Sequence, residues 1–258
     1  MTAWQPGALA PQPGAAPTGR MLAAQTAAEL KLMLRNGEQV LLTLVIPLGL
    51  LVVLTVVDVI TVPTGRDRVG FFVPGVIALA VMSAAFTGQA IAVGFERQYG
   101  VLKRLGATPL PRWVLLTAKT LAVLAVELVQ LVLIAVVGLL LGWQPQGSPV
   151  AVVALVVLGT AAFSGLGLLL GGTLRGLTTL AAANLVWFVL LVLGGVLFPL
   201  SAFGGAQTVL MLLPTAALSH GLREVLQDGG GVPAGDLLVL ACWAAVGLAG
   251  ASRLFRWE

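Results

Sequence analysis

The 258-residue sequence has one cysteine, Cys242, one histidine, His220, and one tyrosine, Tyr99, and only 9% of its residues are charged. One cysteine excludes a disulfide framework, and with one histidine it excludes a Cys/His metal cluster. Soluble domains carry about 25% charge, so a globule of this composition would leave most of its apolar surface in water. Lipid accepts that surface at no cost. No GxxxxGK[ST] run occurs, and the Lys119–Thr120 pair lacks the preceding glycines that would cradle nucleotide phosphates. Ser219 beside His220 is a poor nucleophile and base, because adjacent helical residues do not face each other and no GxSxG turn accompanies them. The carboxylates are scattered, which leaves paired acid–base catalysis without a site.

What is abundant is apolar sequence: 59% hydrophobic residues and 32 glycines. The pattern predicts an all-α membrane protein with six transmembrane helices, at about 39–58, 71–94, 114–142, 150–172, 179–200 and 235–252, each near or above the ~20 residues that cross ~30 Å of hydrocarbon. Trp113 and Trp143 frame the third span as interfacial anchors. Met1–Gly19 is uncharged, rich in Pro, Ala and Gly, and lacks a signal-peptide pattern, so residues 1–20 read as a disordered tail and 21–258 as the membrane domain. Over Met21–Asn36, Ala23, Ala27, Leu30 and Leu34 form one stripe, with Gln25, Glu29, Lys31 and Arg35 off it. Two readings fit: an amphipathic helix along the membrane surface, or the exposed start of the first span.

An even number of spans puts both termini on one side. With them fall Arg20, Lys31, Arg35, Arg97, Lys103, Arg104, Arg112, Lys119, Arg175, Arg253 and Arg256; Arg66, Arg68 and Arg223 fall opposite. Eleven against three places both termini in the cytoplasm. Orientation thus accounts for the net charge of +4 without a nucleic-acid partner. Within the spans, Gly167 and Gly171 make a GxxxG pair, with Gly172 beside them, suited either to packing inside the chain or to a dimer contact. The two halves show no repeat, against an inverted-repeat carrier. Glu127 lies deep in the third span with Gln130 one turn on. An acid there is expensive unless protonated or paired. It is either a neutral group bonded to a neighbouring helix, through Asn184, or a polar contact for a cationic substrate.

The loop Phe95–Trp113, FERQYGVLKRLGATPLPRW, reads as a short helix. Phe95, Tyr99 and Leu102 form a stripe, Glu96 takes the positive end of the dipole, Lys103 and Arg104 the negative end, and Gly106 closes it before Pro109 and Pro111. From pattern alone it is a topology determinant or a docking surface. Its sequence resembles the loop of type-2 ATP-binding-cassette (ABC) exporter permeases, with their E-R-x-x-G-x-L-x-x-L-x-x-T-P-[LV] run after the second span. A second match, Gly194–Leu226, is similar to the family's F-P-x-S, L-P-x-x and L-R-x-x-L segments. The drug-resistance exporters are the most similar. Phe203–Gln207, FGGAQ, departs from the pattern, since many members carry another proline and a tryptophan there.

The resemblance implies the membrane half of an ATP-driven exporter in a prokaryotic plasma membrane. No cofactor is expected in this chain; ATP and Mg belong to a separate ABC ATP-binding subunit, and a second permease subunit completes a homo- or heterodimer. Met21–Gly37 would be the elbow helix, with Glu29, Lys31 and Arg35. Glu96–Leu105 would be the coupling helix that meets the ATPase, through Glu96, Arg97, Gly100, Lys103, Arg104 and Leu105. Gly194–Leu226 would form external re-entrant helices capping the path, with Pro199, Pro214, Arg223 and Glu224. Glu127, Gln130 and Asn184 are the intramembrane polar residues. With aromatics at 6%, stacking surfaces for sugars are sparse, which favours an amphiphilic drug or a lipid as substrate. The alternative is an ion-coupled carrier or channel, for which only Glu127 and Asp58, near a span end, offer ionisable groups.

Overall fold

Backbone groups in hydrocarbon must find their hydrogen bonds inside the chain, and the described residues accordingly form helices and no strand. The computed structural model describes residues 15–57, 60, 62 and 67–255, apart from the side chains at 38, 39 and 42. Asp58, Arg66, Arg256 and the first 14 residues of the expected tail lie outside the described residues. In chain order the helices are α1 (Thr18–Arg35), α2 (Gly37–Val56), α3 (Arg68–Gln98), α4 (Val101–Gly106), α5 (Arg112–Leu140), α6 (Pro149–Thr173), α7 (Gly176–Leu193), α8 (Gln207–Leu210), α9 (Pro214–Leu226) and α10 (Ala234–Leu254). Helices α3, α5, α6, α7 and α10 are long and apolar enough to cross a membrane, and α2 carries a shorter apolar stretch, Thr43–Val56.

Helix α3 occupies the middle of the bundle, with every residue from Val69 to Met82 buried. Its turns from Met82 to Gly88 widen into a π-helix, a form associated with functional sites. Glycine lets α6 come close to it: a Cβ on Gly167 would lie 2.6 Å from the Phe86 carbonyl oxygen, and one on Gly171 2.5 Å from that of Ala90. The GxxxG pair is thus used for packing inside the chain. On its other side α6 meets α10 backbone to backbone, where a Cβ on Gly165 would lie 2.7 Å from the Leu248 nitrogen.

Three expectations are corrected here. Thr18–Arg20 are helical rather than part of a disordered tail, because Pro17, extended at φ −53, ψ 140, opens α1 where its missing N–H costs nothing. The fifth apolar stretch does not stay helical to residue 200: α7 stops at Leu193, and Gly195 turns the chain at φ +69. Trp143 is buried over Gly138 rather than anchored in an interface, whereas Trp113 is exposed.

Candidate functional site

Helix α1 lies along α5 with Leu22, Thr26, Glu29 and Met33 turned inward, while Ala23, Ala27 and Leu34 face out. Glu29, expected on the outer polar face, is instead buried. A buried carboxylate needs a partner, and Lys119, two turns into α5, supplies it. Lys119 Nζ lies 2.9 Å from Glu29 Oε2 and 2.8 Å from Glu96 Oε1. Gln25 Nε2 adds a bond to Glu29 Oε1 at 2.8 Å. One ammonium therefore ties α1, the end of α3 and the start of α5 together. Lys31 and Arg35 stay exposed. The sequence signal was Lys119 itself: a lysine inside an apolar span requires acids from elsewhere, and reading it only as an orientation charge missed them.

The coupling segment is not one helix. Glu96 and Arg97 belong to the last turns of α3, and Gly100, at φ +69, breaks the chain before α4 begins at Val101. Only glycine reaches that conformation without strain. Glu96 therefore sits at the negative end of the α3 dipole, where Lys119 offsets its charge, and not at a positive helix end. Arg97 Nη1 donates to the carbonyls of Gly172 at 3.3 Å and Leu174 at 3.2 Å, closing α6. What remains on α4 is a small basic helix. Leu102 is buried and Leu105 half-buried against Leu115, Leu116 and Phe255, while Lys103 and Arg104 point outward.

At the opposite end, the segment after α7 runs through Pro199 into a 3₁₀ turn at Leu200–Ala206, then α8 and α9, with Pro214 in the first turn of α9. Arg223 on α9 is buried and serves the backbone: Nε donates to the Phe71 carbonyl at 3.3 Å, Nη1 to Gly195 at 2.5 Å and Nη2 to Val196 at 2.9 Å. Its guanidinium also stacks 4.3 Å from the Phe71 ring centre. Arg68 acts likewise on the end of α2, donating to the carbonyls of Leu54, Val57 and Ile60. Ser219 Oγ bonds the Gly194 carbonyl at 2.7 Å, so it is a turn fastener. His220 Nδ1 meets Asp236 Oδ2 of α10 at 2.9 Å. That hydrogen bond lifts the imidazole above its ordinary 6.5, with the charges of Asp236 and Glu224 adding to it and burial and Arg223 opposing. A cavity of about 530 Å³ opens here, lined by Pro199, Ser201, Gln207, His220, Glu224 and Asp228. His220, Glu224 and Asp236 bring one imidazole and two carboxylates within 4.8 Å of one another, a set able to hold a divalent cation.

Between the ends, Glu127 is buried, and its partner is Thr160 of α6 rather than Asn184, which lies on the exposed face of α7. Thr160 Oγ1 contacts both Glu127 Oε2 and the Val156 carbonyl, the latter at 2.8 Å. In both contacts the Thr160 hydroxyl is the donor. Gln130 Nε2 donates to the Thr43 carbonyl of α2 at 2.7 Å.

A multi-pass membrane protein, helical throughout its described residues and with buried ionic groups at both ends of the bundle, is the class these features define. Residues 22–226 match the family described as ABC-2 type transporter, so the chain belongs to that family: it is a transport permease subunit of an ABC transporter rather than an enzyme. The family implies an ATP-binding partner subunit. The chain is also similar to the protein named "Putative transport permease YvfS" of Bacillus subtilis (strain 168), with 25% identity over 219 residues, 81% of this chain and 86% of that protein.

Proposed function

We propose that the chain is the membrane half of an ATP-driven exporter that moves an amphiphilic drug or lipid-like molecule out of a prokaryotic cell. Six crossings, by α2, α3, α5, α6, α7 and α10, hold both termini in the cytoplasm, and a second permease subunit faces this one. ATP and Mg are bound by the partner ATPase. A subunit without a phosphate loop is driven only by contacts with a partner whose shape depends on nucleotide.

The observation that carries this reading is α4. It is seated on the bundle by Leu102 and Leu105 and presents Lys103 and Arg104 outward. The turn at Gly100 and the ion pair at Glu96 join it to α3 and α5, so a push on α4 reaches two spans at once. Arg104→Ala is expected to leave the permease inserted and the complex assembled while ATP-dependent export falls about tenfold, within the usual range of coupling energies. Arg175→Ala, in the short connection between α6 and α7, is the control and has a smaller effect. Complex assembly, ATP hydrolysis and export are measured together in membranes. Full export by Arg104→Ala with the ATPase bound would remove α4 from the coupling path.

A further inference from the structure

Away from α4, the last turns of α9 meet the first turn of α10. His220 and Glu224 stand on α9 at the i, i+4 spacing that puts two side chains on one face. Gly221 follows His220, and a Cβ there would lie 3.2 Å from Asp236 Oδ2, so the missing side chain is what lets Asp236 reach over α9 to that face. One imidazole nitrogen and two carboxylate oxygens, from two helices, thus come within 4.8 Å of one another. Tetrahedral ligands held ~2.1 Å from one ion lie ~3.4 Å apart, and rotation of the partly exposed His220 and Glu224 side chains closes that difference. The set is open to solvent, because His220 and Glu224 line the cavity of about 530 Å³. Its charge balance is negative. Glu224, Asp236 and Asp228, which lines the same cavity, accompany one imidazole, while the guanidinium of Arg223 is turned to the carbonyls of Phe71, Gly195 and Val196. Two carboxylates this close repel each other, and a cation between them relieves that repulsion.

We propose that His220, Glu224 and Asp236 are the ligands of a zinc-class divalent cation that fastens α9 to α10. The class follows from the donors: imidazole with carboxylates suits zinc, whereas magnesium and calcium take oxygen ligands. Three protein ligands leave a fourth position for water from the cavity. His220 Nδ1 and Asp236 Oδ2, 2.9 Å apart, already share a proton, and the ion displaces it on binding. The site is independent of the exporter reading and of the molecule the permease moves.

The test uses the full permease in detergent micelles, expressed without a histidine tag and stripped of metal with a chelator. Calorimetric titration with zinc chloride is expected to show one saturable site per chain, at least about tenfold tighter for zinc than for magnesium, and zinc should raise the melting temperature. His220→Gln and Glu224→Gln should each weaken zinc binding at least about tenfold. Cys242→Ala, which removes the chain's one thiol from an exposed position, should bind zinc as the wild type does. A second readout needs no variant: His220 is the chain's one histidine, so zinc should slow its modification by diethyl pyrocarbonate in the wild-type protein. Absence of a saturable zinc site, equal affinity for zinc and magnesium, unchanged zinc binding in both Gln variants, or an unchanged rate of His220 modification would overturn the proposal.

Discussion

At the end of the bundle that carries α4, Lys119 is neutralised by two side chains, Glu29 and Glu96. At the opposite end, Arg223 and Arg68 meet main-chain carbonyls. The difference lies in what each arrangement allows. Carboxylates sit on rotatable side chains from two helices, so that end can exchange partners as α1, α3 and α5 shift. The carbonyls near Arg223 belong to the end of α7 and the start of α3, and a guanidinium fork across them fixes the backbone. One end is tied through side chains, the other through main-chain atoms of the segment after α7.

The sharpest way to break that comparison is to remove the fork. Arg223→Met takes their donor from the carbonyls of Gly195 and Val196, a loss of about 3–5 kcal/mol if the apolar surroundings admit no water. No second substitution can remove these carbonyls, because they are backbone. Arg223→Lys should recover only part, since an ammonium cannot span carbonyls that a planar fork reaches. Membrane yield and thermal unfolding in detergent read this out, and a wild-type melting temperature for Arg223→Met would refute it.

At the ion-paired end, Lys119→Met alone strands two buried carboxyl groups and should also cost about 3–5 kcal/mol. Here compensation is possible. The triple variant Glu29→Leu, Glu96→Leu, Lys119→Met replaces every charge with apolar volume, and buried ion pairs exchanged in this way are often neutral or stabilising. The triple variant should therefore melt close to the wild type, and yet fail to couple ATP hydrolysis to export. A triple variant as unstable as Lys119→Met would mean that the two ends do not differ in kind.

Much of this was legible in the chain. Apolar runs and sparse charge specify helices in lipid, and Gly167 and Gly171 mark a close approach. What stayed hidden was pairing at a distance. Glu29 read as a surface residue because helical periodicity reports which residues share a face and not which face is covered; α5 covers the one with Glu29. Gly100 read as one position in a capped helix, because the chain's return at the end of α3 leaves no periodic trace. Arg68 and Arg223 read as orientation charges, although they are hydrogen-bond donors to main-chain carbonyls. Charge counting does not distinguish those roles.

The smallest expected effect refines the static end. His220 joins α9 to α10 through Asp236, and its folded-state value lies above the ordinary 6.5. A raised value on a base means that the proton binds more tightly in the folded state. The latch therefore contributes fully below the unfolded value, and its contribution disappears as pH rises through the folded one. Other charges facing the imidazole are Glu224, which supports its protonation, and Arg223, which opposes it; Asp228 lines the same cavity. The His220 side chain is 42% exposed, so solvent screens the interaction and the effect is modest. Unfolding temperatures measured from about pH 6 to about pH 9 should fall more steeply for the wild type than for His220→Gln. Glu224→Gln should move the wild-type transition to lower pH. Parallel curves for wild type and His220→Gln would show that the pair only positions α9 against α10.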